Sequence, residues 1–280
     1  MTPPISASTR LFAVLGDPVA HSISPRIQNA AIDAYHLDAV YVAMRTDAES
    51  LPGLLRGIAR SGGGGNVTLP HKQRAAALVD GPTPAVTATG ACNTFWFEDG
   101  VIRGDNTDVE GFTAAACTLL QGSPAGARVL LLGAGGAARA SLFALTQAGA
   151  DQVVILNRTV ARAEAIIASA SVAASRVSAA SAPGELRGQS FDLIVNATSL
   201  GLRDQDPLPL DPDAGLAFSA ALDLVYAPAG TAWIRDLHTR GIPAADGKEM
   251  LIQQGAASFK RWWKKDAPID EMREAISSAR

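Results

Sequence analysis

Six consecutive residues, Gly133-Ala134-Gly135-Gly136-Ala137-Ala138, could hold a phosphate. They follow the apolar run Arg128–Leu132 and open a helical pattern. This is the G-x-G-x-x-A spacing in the strand–turn–helix setting that it needs. The first glycine permits a tight turn, the second lets backbone approach a pyrophosphate, and Ala138 keeps helix and strand close. The N–H groups at the helix start then face the phosphates. The alternative is a glycine turn of structural use only. The end of the next strand discriminates among nucleotides, because an NAD site carries a carboxylate there for the ribose hydroxyls. This chain carries Asn157-Arg158-Thr159, with Arg162 one helical turn beyond Arg158. No carboxylate repels a 2′-phosphate, and a guanidinium can clamp one with its planar fork of donors. NADP(H) is favoured over NAD, against the alternative of a helix cap with solvated arginines.

Three polar clusters precede this unit. In His21-Ser22-Ile23-Ser24-Pro25, two hydroxyls at i and i+2 beside a helix start could bind a carboxylate. The same residues could equally be an N-cap at Ser24. Asn66-Val67-Thr68-Leu69-Pro70-His71-Lys72 puts a lysine after a proline-containing turn, where a surface charge is the ordinary use. Asn93-Thr94 and Asn106-Thr107-Asp108 stand at the two ends of a hairpin, placing amides and a carboxylate on one edge. Each taken alone is compatible with turn chemistry.

The elements that must position these groups read as two α/β parts, the second inserted within the first. Leu11–Leu15 and Val40–Met44 read as strands; Ser24 to about Tyr35 and Leu51–Arg60 read as helices, with Pro25 suited to a first turn. Gly62–Gly65 is either a flexible connector or a place where backbone passes close to a neighbour. Asn93–Phe97 and Val101-Ile102 read as a hairpin around Asp99-Gly100. A helix is expected from about Val109 to Leu120. Strands at Arg128–Leu132, Val153–Leu156, Phe191–Val195 and Ala220–Leu224 then alternate with helices at Gly135–Ala148, Val160–Ala170 and Thr231–Arg240. That alternation predicts a parallel, doubly wound sheet. The Ala/Ser-rich stretch 168–182 gives no clear pattern, and Met250–Trp263 reads as a helix apolar on one face.

Taken in order, these clusters resemble the shikimate dehydrogenase family. The resemblance runs through Gly16-Asp-Pro-Val-Ala-His-Ser-Ile-Ser-Pro25, Asn66 to Lys72, Gly90-Ala-Cys-Asn-Thr94, Gly104-Asp-Asn-Thr-Asp108, Gly133 to Ala138 and Asn157-Arg-Thr159. It continues in Asn196-Ala-Thr-Ser-Leu-Gly201, Asp223-Leu-Val-Tyr226 and Met250-Leu-Ile-Gln-Gln-Gly255, covering about Leu11 to Trp263. It implies NADPH-dependent, reversible reduction of 3-dehydroshikimate to shikimate. It further implies that Ser22 and Ser24 hold the substrate carboxylate, that Thr68, Asn93, Asp108, Tyr226 and Gln254 contact its ring hydroxyls or carboxylate, and that Lys72 and Asp108 are the catalytic pair. Gly133, Ala134, Gly135, Gly136, Ala137, Asn157, Arg158, Thr159, Arg162, Thr198, Leu224 and Gly247 would line the nucleotide site. The implied layout is a substrate-binding and catalytic domain over 1–109, an NADP-binding Rossmann domain over 110–246, and C-terminal helices over 247–280 returning to the first. Reducing a ketone needs a hydride on carbon and a proton on oxygen; Lys72 as ammonium can polarise the carbonyl and donate that proton. The chain departs from the family pattern at Gln28, often His, at Glu249 in place of a glycine before Met250, and at Leu202 and Leu224, where Met is frequent.

Composition removes other classes. With 280 residues, 48% hydrophobic, 18% charged and net charge −3, the chain is globular in kind and has no basic footprint for nucleic acid. Two cysteines in different segments and four scattered histidines suggest neither a disulfide framework nor a metal site. No apolar run is long enough to span a bilayer. Lys260-Arg261 and Lys264-Lys265 flank Trp262-Trp263, a pattern open to a membrane-surface helix, though a packed terminal helix with a basic outer face is the ordinary reading. A cytoplasmic monomer or homodimer acting on a small molecule is expected. The nearest rival is a quinate or quinate/shikimate dehydrogenase. A folate-linked methylene dehydrogenase does not explain Ser22, Ser24, Asn93 and Asp108 together, and retention of Lys72 with Asp108 argues against a non-catalytic NADP-binding regulator.

Overall fold

The computed structural model describes residues 4–169, 176–203, 205–227 and 229–277. In chain order its elements are Arg10–Gly16 (β1), Ser24–Ala34 (α1), Ala39–Arg45 (β2), Leu51–Arg60 (α2), Gly64–Val67 (β3), Lys72–Ala76 (α3), Gly81–Pro82 (β4), Pro84–Thr89 (α4), Thr94–Glu98 (β5) and Val101–Asp105 (β6). There follow Asp108–Leu120 (α5), Arg128–Leu132 (β7), Gly136–Gln147 (α6), Gln152–Leu156 (β8), Val160–Ser169 (α7), Val177–Ala180 (β9), a 3-10 turn at Pro183–Leu186, Ser190–Asn196 (β10), Ala217–Asp223 (β11), Ala232–Thr239 (α8), Ala244–Ala245 (β12), Lys248–Trp263 (α9) and Ile269–Ser277 (α10). The chain divides into two compact units, Met1–Thr107 with Leu251–Arg280, and Asp108–Met250. No helix among the described residues is long and apolar enough to cross a membrane.

The first unit is built on a mixed sheet of order β2-β1-β3-β5-β6-β4. β1 runs parallel to both β2 and β3, whereas β5 is antiparallel to β3 and β6. The glycine run is no flexible connector. From Gly64 it is a central strand, and a Cβ at Gly65 would overlap the Ala13 carbonyl oxygen, while one at Gly64 would come within 2.8 Å of the Phe95 carbonyl oxygen. Side chains would hold the neighbouring strands apart, so the sequence has none there. Asp99 (φ 53°) and Gly100 (φ 80°) form the two-residue turn between β5 and β6, where two positive φ values match strand twist. On one face of the sheet, Leu51, Leu55 and Ile58 of α2 pack on Ala13, Leu15, Val67, Phe95 and Ile102. On the other, Phe12 meets Trp262 and Trp263, each with ring centroids 5.1 Å away. The paired tryptophans are therefore packing residues, and the membrane-surface reading falls. Ile27 and Ala31 of α1 share a cluster with Ile252 and Phe259 of α9 and Met272 of α10, so the C-terminal helices do return to this unit.

The second unit has an all-parallel sheet of order β12-β11-β10-β7-β8-β9. The chain steps outward from β7 through β8 to β9, then crosses back to β10, β11 and β12, which places a topological switch point between β7 and β10. Alternate strand residues supply two cores. Val129, Leu131, Val153, Ile155, Leu193 and Val195 pack with Phe112, Leu142 and Ile166 from α5, α6 and α7. Leu130, Leu132, Val154, Leu156 and Ile194 pack with Trp233, Ile234 and Leu237 of α8. Strands buried on both faces read as continuous aliphatic runs for this reason. Buried Ala138, Ala140 and Ala144 let α6 lie close on the sheet.

Most expected boundaries lie within one to three residues of those observed, and Leu51–Arg60 and Arg128–Leu132 are unchanged. The expected end of the helix at Ala170 lies outside the described residues. β9 was not anticipated, because Val-Ser-Ala-Ala has neither bulk nor alternation. α10 was expected only as one of the returning C-terminal helices and without bounds, although Ile269, Met272 and Ile276 stand at i, i+3 and i+7.

Candidate active site

Two polar clusters of the first unit, Asn66–Lys72 and the ends of the hairpin, converge on a ladder of backbone and amide bonds, which Ser22 and Ser24 do not join. Lys72 opens α3, and its carbonyl oxygen accepts from Cys92 N at 2.9 Å. The next residue, Asn93, donates its backbone N–H to the Asp105 carbonyl oxygen at 3.0 Å. The side chain of Asn93 reaches further: its Oδ1 accepts from Thr107 N at 2.8 Å, and its Nδ2 donates to Gln254 Oε1 at 3.3 Å. Asp108 follows Thr107 directly, is buried, and starts α5. Thus Lys72, Asn93 and Gln254 stand on one edge of the sheet, together with the residue that precedes Asp108, although 182 positions separate Lys72 from Gln254 in the sequence.

A buried scaffold holds this edge. Tyr41 Oη donates to Asn66 Oδ1 at 2.7 Å, Asn66 Nδ2 donates to the Asn93 carbonyl oxygen and to Ser258 Oγ, both at 3.0 Å, and Ser258 Oγ donates to the Gln254 carbonyl oxygen at 3.0 Å. Every member is neutral, so burial costs no ionisation as long as each donor has its acceptor. Burial pushes the Tyr41 hydroxyl well above its ordinary range, which keeps it a donor. One turn further on, Arg261 Nε reaches Asp105 Oδ2 at 2.8 Å, while Asp105 Oδ1 accepts from Asn106 N at 2.7 Å and from Thr83 Oγ1 at 2.5 Å. The stretch leading to Asp108 is thereby fixed from both sides. The thiol of Cys92, pushed up to about 12 by burial, is no nucleophile.

Ser22 and Ser24 are half-buried at the start of α1. The helix cap position is Ile23, without a side-chain cap bond, and Ser22 Oγ accepts from Ser24 N at 3.3 Å. The N-cap reading of Ser24 therefore fails: Ser24 is already helical. Thr68 is half-buried beyond β3, with its N–H on the Leu15 carbonyl oxygen at 2.9 Å. His71, beside Lys72, is buried with Nε2 2.6 Å from the Thr46 carbonyl oxygen, a packing role. Gln28 donates to the Gly255 carbonyl oxygen at 2.9 Å, linking α1 to the residue after Gln254.

In the second unit the strand ends form another polar edge. β7 stops at Gly133, whose φ of 101° and 2.9 Å clearance to the Thr198 methyl both demand glycine. Gly135 is the N-cap of α6 and has no side-chain cap bond, and a Cβ added at Gly135 or Gly136 would meet nothing within 4 Å. An open helix start with uncapped N–H groups fits a pyrophosphate. After β8, Asn157 Nδ2 donates to the Thr159 carbonyl oxygen at 2.7 Å, shaping a turn on which Arg158, Thr159 and Arg162 are exposed. No carboxylate stands in this turn, so the residues fit a 2′-phosphorylated nucleotide. A Cβ at Gly247 would overlap the Leu224 carbonyl oxygen, so these two positions press together. Burial raises the Tyr226 hydroxyl above its ordinary range.

Two residues at this edge escaped the sequence reading as site residues. Asn196 and Asp223 end β10 and β11, both fully buried, with Asn196 Nδ2 donating to Asp223 Oδ1 at 2.7 Å. Their signal in the sequence is an amide and a carboxylate closing apolar strands, at the start of Asn196–Gly201 and of Asp223–Tyr226.

Known proteins reproduce this arrangement of sequence and fold. Residues 14–95 match the shikimate dehydrogenase substrate binding domain, 116–201 the shikimate/quinate 5-dehydrogenase model, and 247–276 the shikimate 5′-dehydrogenase C-terminal domain. The chain is 40% identical to the shikimate dehydrogenase (NADP+) of Methylobacterium radiotolerans over 92% of its own length and 93% of the relative's. Among solved structures, shikimate dehydrogenase from Aquifex aeolicus superposes with a TM-score of 0.88 at 33% identity, covering 98% and 99% of the two chains. The Thermus thermophilus shikimate 5-dehydrogenase, solved in complex with NADP(H) and shikimate, gives 0.85 at 37% identity, covering 96% and 98%. Ordered motifs, two-unit fold and near-complete coverage agree, and the chain belongs to the shikimate dehydrogenase family.

Proposed function

We propose that this chain reduces 3-dehydroshikimate to shikimate, reversibly, with NADPH, and that Lys72 and Asp108 are its catalytic pair. The observation that carries the reading is the ladder joining Lys72, Cys92-Asn93 and Thr107, which ties the lysine to the residue preceding the carboxylate. Ser22 and Ser24 bind the substrate carboxylate; Thr68, Asn93, Tyr226 and Gln254 contact the ring hydroxyls or that carboxylate. Gly133 to Ala137, Asn157, Arg158, Thr159, Arg162, Thr198, Leu224 and Gly247 hold the nucleotide, which when bound supplies the hydride. Lys72 as ammonium polarises the ketone and gives its proton to the oxygen, and in the oxidative direction its amine takes that proton back. Asp108 orients the lysine and the reacting hydroxyl. The substrate domain spans 1–109 with the returning helices 247–280, and the nucleotide domain 110–246. The enzyme works in the cytoplasm as a monomer or homodimer.

Loss of absorbance of reduced nicotinamide on adding 3-dehydroshikimate tests the reading, with shikimate and quinate, each with NADP and NAD, in the reverse assay. Shikimate with NADP is expected to turn over best. Lys72→Ala is expected to bind NADPH normally and lose at least about 100-fold in turnover, the scale of a positioned acid–base group. Turnover in Lys72→Ala close to that of the unmodified chain removes the lysine from the mechanism.

A further inference from the structure

We propose that Asp223 and Asn196 are positioning residues of the nucleotide site: together they set Thr198 against Gly133 and fix the backbone after β11. This rests on the reading that Asp108–Met250 holds NADP(H).

The strand ends dictate the geometry. Asn196 pairs with Leu132 of β7 on one side and with Asp223 of β11 on the other, so three neighbouring parallel strands finish at one level. This level adjoins the switch point, where open α/β sheets bind ligands. An ionised carboxylate only accepts, and three donors converge on Asp223: Asn196 Nδ2 at 2.7 Å and Val225 N at 3.0 Å on Oδ1, and Thr231 Oγ1 at 2.7 Å on Oδ2. The orientation of Asn196 follows. With its NH2 turned to Asp223 and to the Leu200 carbonyl oxygen at 3.0 Å, its Oδ1 faces Thr198. There it accepts from Thr198 N at 3.0 Å and from Thr198 Oγ1 at 2.7 Å. A hydroxyl held this way leaves the Thr198 methyl against the first glycine of the fingerprint turn. A reversed amide at 196 would set its oxygen against the oxygens of Asp223 and Leu200 and its NH2 against the Thr198 N–H, so through Asn196 the carboxylate decides the orientation of Thr198.

A purely stabilising role predicts something different. Burial pushes the Asp223 carboxyl above its ordinary range, against the bonds from Thr231, Val225 and Asn196. Apolar side chains would close two buried strand ends without that desolvation cost. What they could not do is fix the direction of three donors around the turn.

The test compares two ligands on the full chain: NADPH, and adenosine 2′-monophosphate, which carries the 2′-phosphate for the Asn157–Arg162 end but no 5′-phosphate for the turn at Gly133. Titration of each, by fluorescence or calorimetry, is run on the unmodified chain, Asp223→Asn, Asp223→Ala and Asn196→Ala. Asp223→Asn keeps an acceptor for Asn196 and Val225 and can donate to Thr231 Oγ1, so its NADPH affinity stays within about threefold. Asp223→Ala and Asn196→Ala are expected to weaken NADPH at least about tenfold, the scale of one bond to a charged group, with adenosine 2′-monophosphate unchanged within about twofold. Equal affinities throughout, or parallel loss of both ligands, overturn the proposal. If Asp223→Ala does not fold, Asn196→Ala decides, since it leaves Asp223 with Thr231 and Val225. Failure of the unmodified chain to bind NADPH would instead overturn the functional reading itself.

Discussion

Around Gly63–Gly65 in the first unit, an added Cβ would run into the backbone of the strands on either side; at Gly135 and Gly136 in the second, it would meet nothing within 4 Å. The same residue type thus answers two needs. In β3 the missing side chain lets three strands close up, and the polar Asn66 that follows can then reach Asn93 and Ser258. At the start of α6 the missing side chain leaves space that no part of the described chain fills. Crowded surroundings at Gly63–Gly65 mark internal fit; empty surroundings at this helix start leave room for a phosphate to approach its N–H groups.

Substitutions can break this contrast. Gly65→Ala is expected to have the largest effect, a loss of more than about 4 kcal/mol, because the obstructing atoms are backbone on a paired strand; denaturant unfolding measures it, and a variant as stable as the parent would end the internal-fit argument. Gly135→Ala should change stability by no more than about 1 kcal/mol, as for other changes at a cap position. Its NADPH affinity should nonetheless fall at least about tenfold, since a methyl group would keep a phosphate from charge-assisted N–H bonds. Unchanged affinity would mean that the open space serves no phosphate. Arg158→Gln sharpens the same point at the other end of the nucleotide: NADPH affinity should drop about tenfold while NADH is unaffected. A parallel loss for both nucleotides would assign Arg158 to something other than the 2′-phosphate.

The smallest expected effect lies on the surface of the first unit. The hydrogen bond from Lys264, at 2.6 Å, and that from Trp96 hold the Glu98 carboxyl below its ordinary range. A depressed carboxylate stabilises the fold in full above the ordinary glutamate value, near pH ~4.3, and that contribution is lost as pH falls from there through the lowered value of the folded state. Lys264→Met should therefore lower stability at pH 7 by no more than about 0.5 kcal/mol, as for other exposed pairs, and the difference from the parent should shrink towards pH 3. A difference that grows on acidification would contradict the assignment.

Much of this was legible in the chain before any fold was seen. The aliphatic runs at Arg128–Leu132 and Val153–Leu156, and the glycine spacing between them, specify a parallel strand–turn–helix unit by local chemistry. The Asp99-Gly100 turn was equally plain, since few other pairs accept two positive φ values. Val177–Ala180 was not, because its small residues form a strand only when β8 offers a ladder beside them. Whether Gly62–Gly65 was a connector or a central strand was likewise open, for glycine permits both and only the approach of β1 and β5 decides.

The sequence by itself determined which groups are on offer for chemistry, because lysine, carboxylate, amide and guanidinium keep their donors and acceptors wherever they lie. It also determined the period of each element, because alternation and helical spacing are local. Only the tertiary structure decided that Asn93 meets Gln254 across 161 residues, that Tyr41, Asn66 and Ser258 support them from behind, and that Asp223 orients Asn196. Those pairings depend on which buried donor finds which acceptor once the strands are side by side, and no spacing along the chain encodes that.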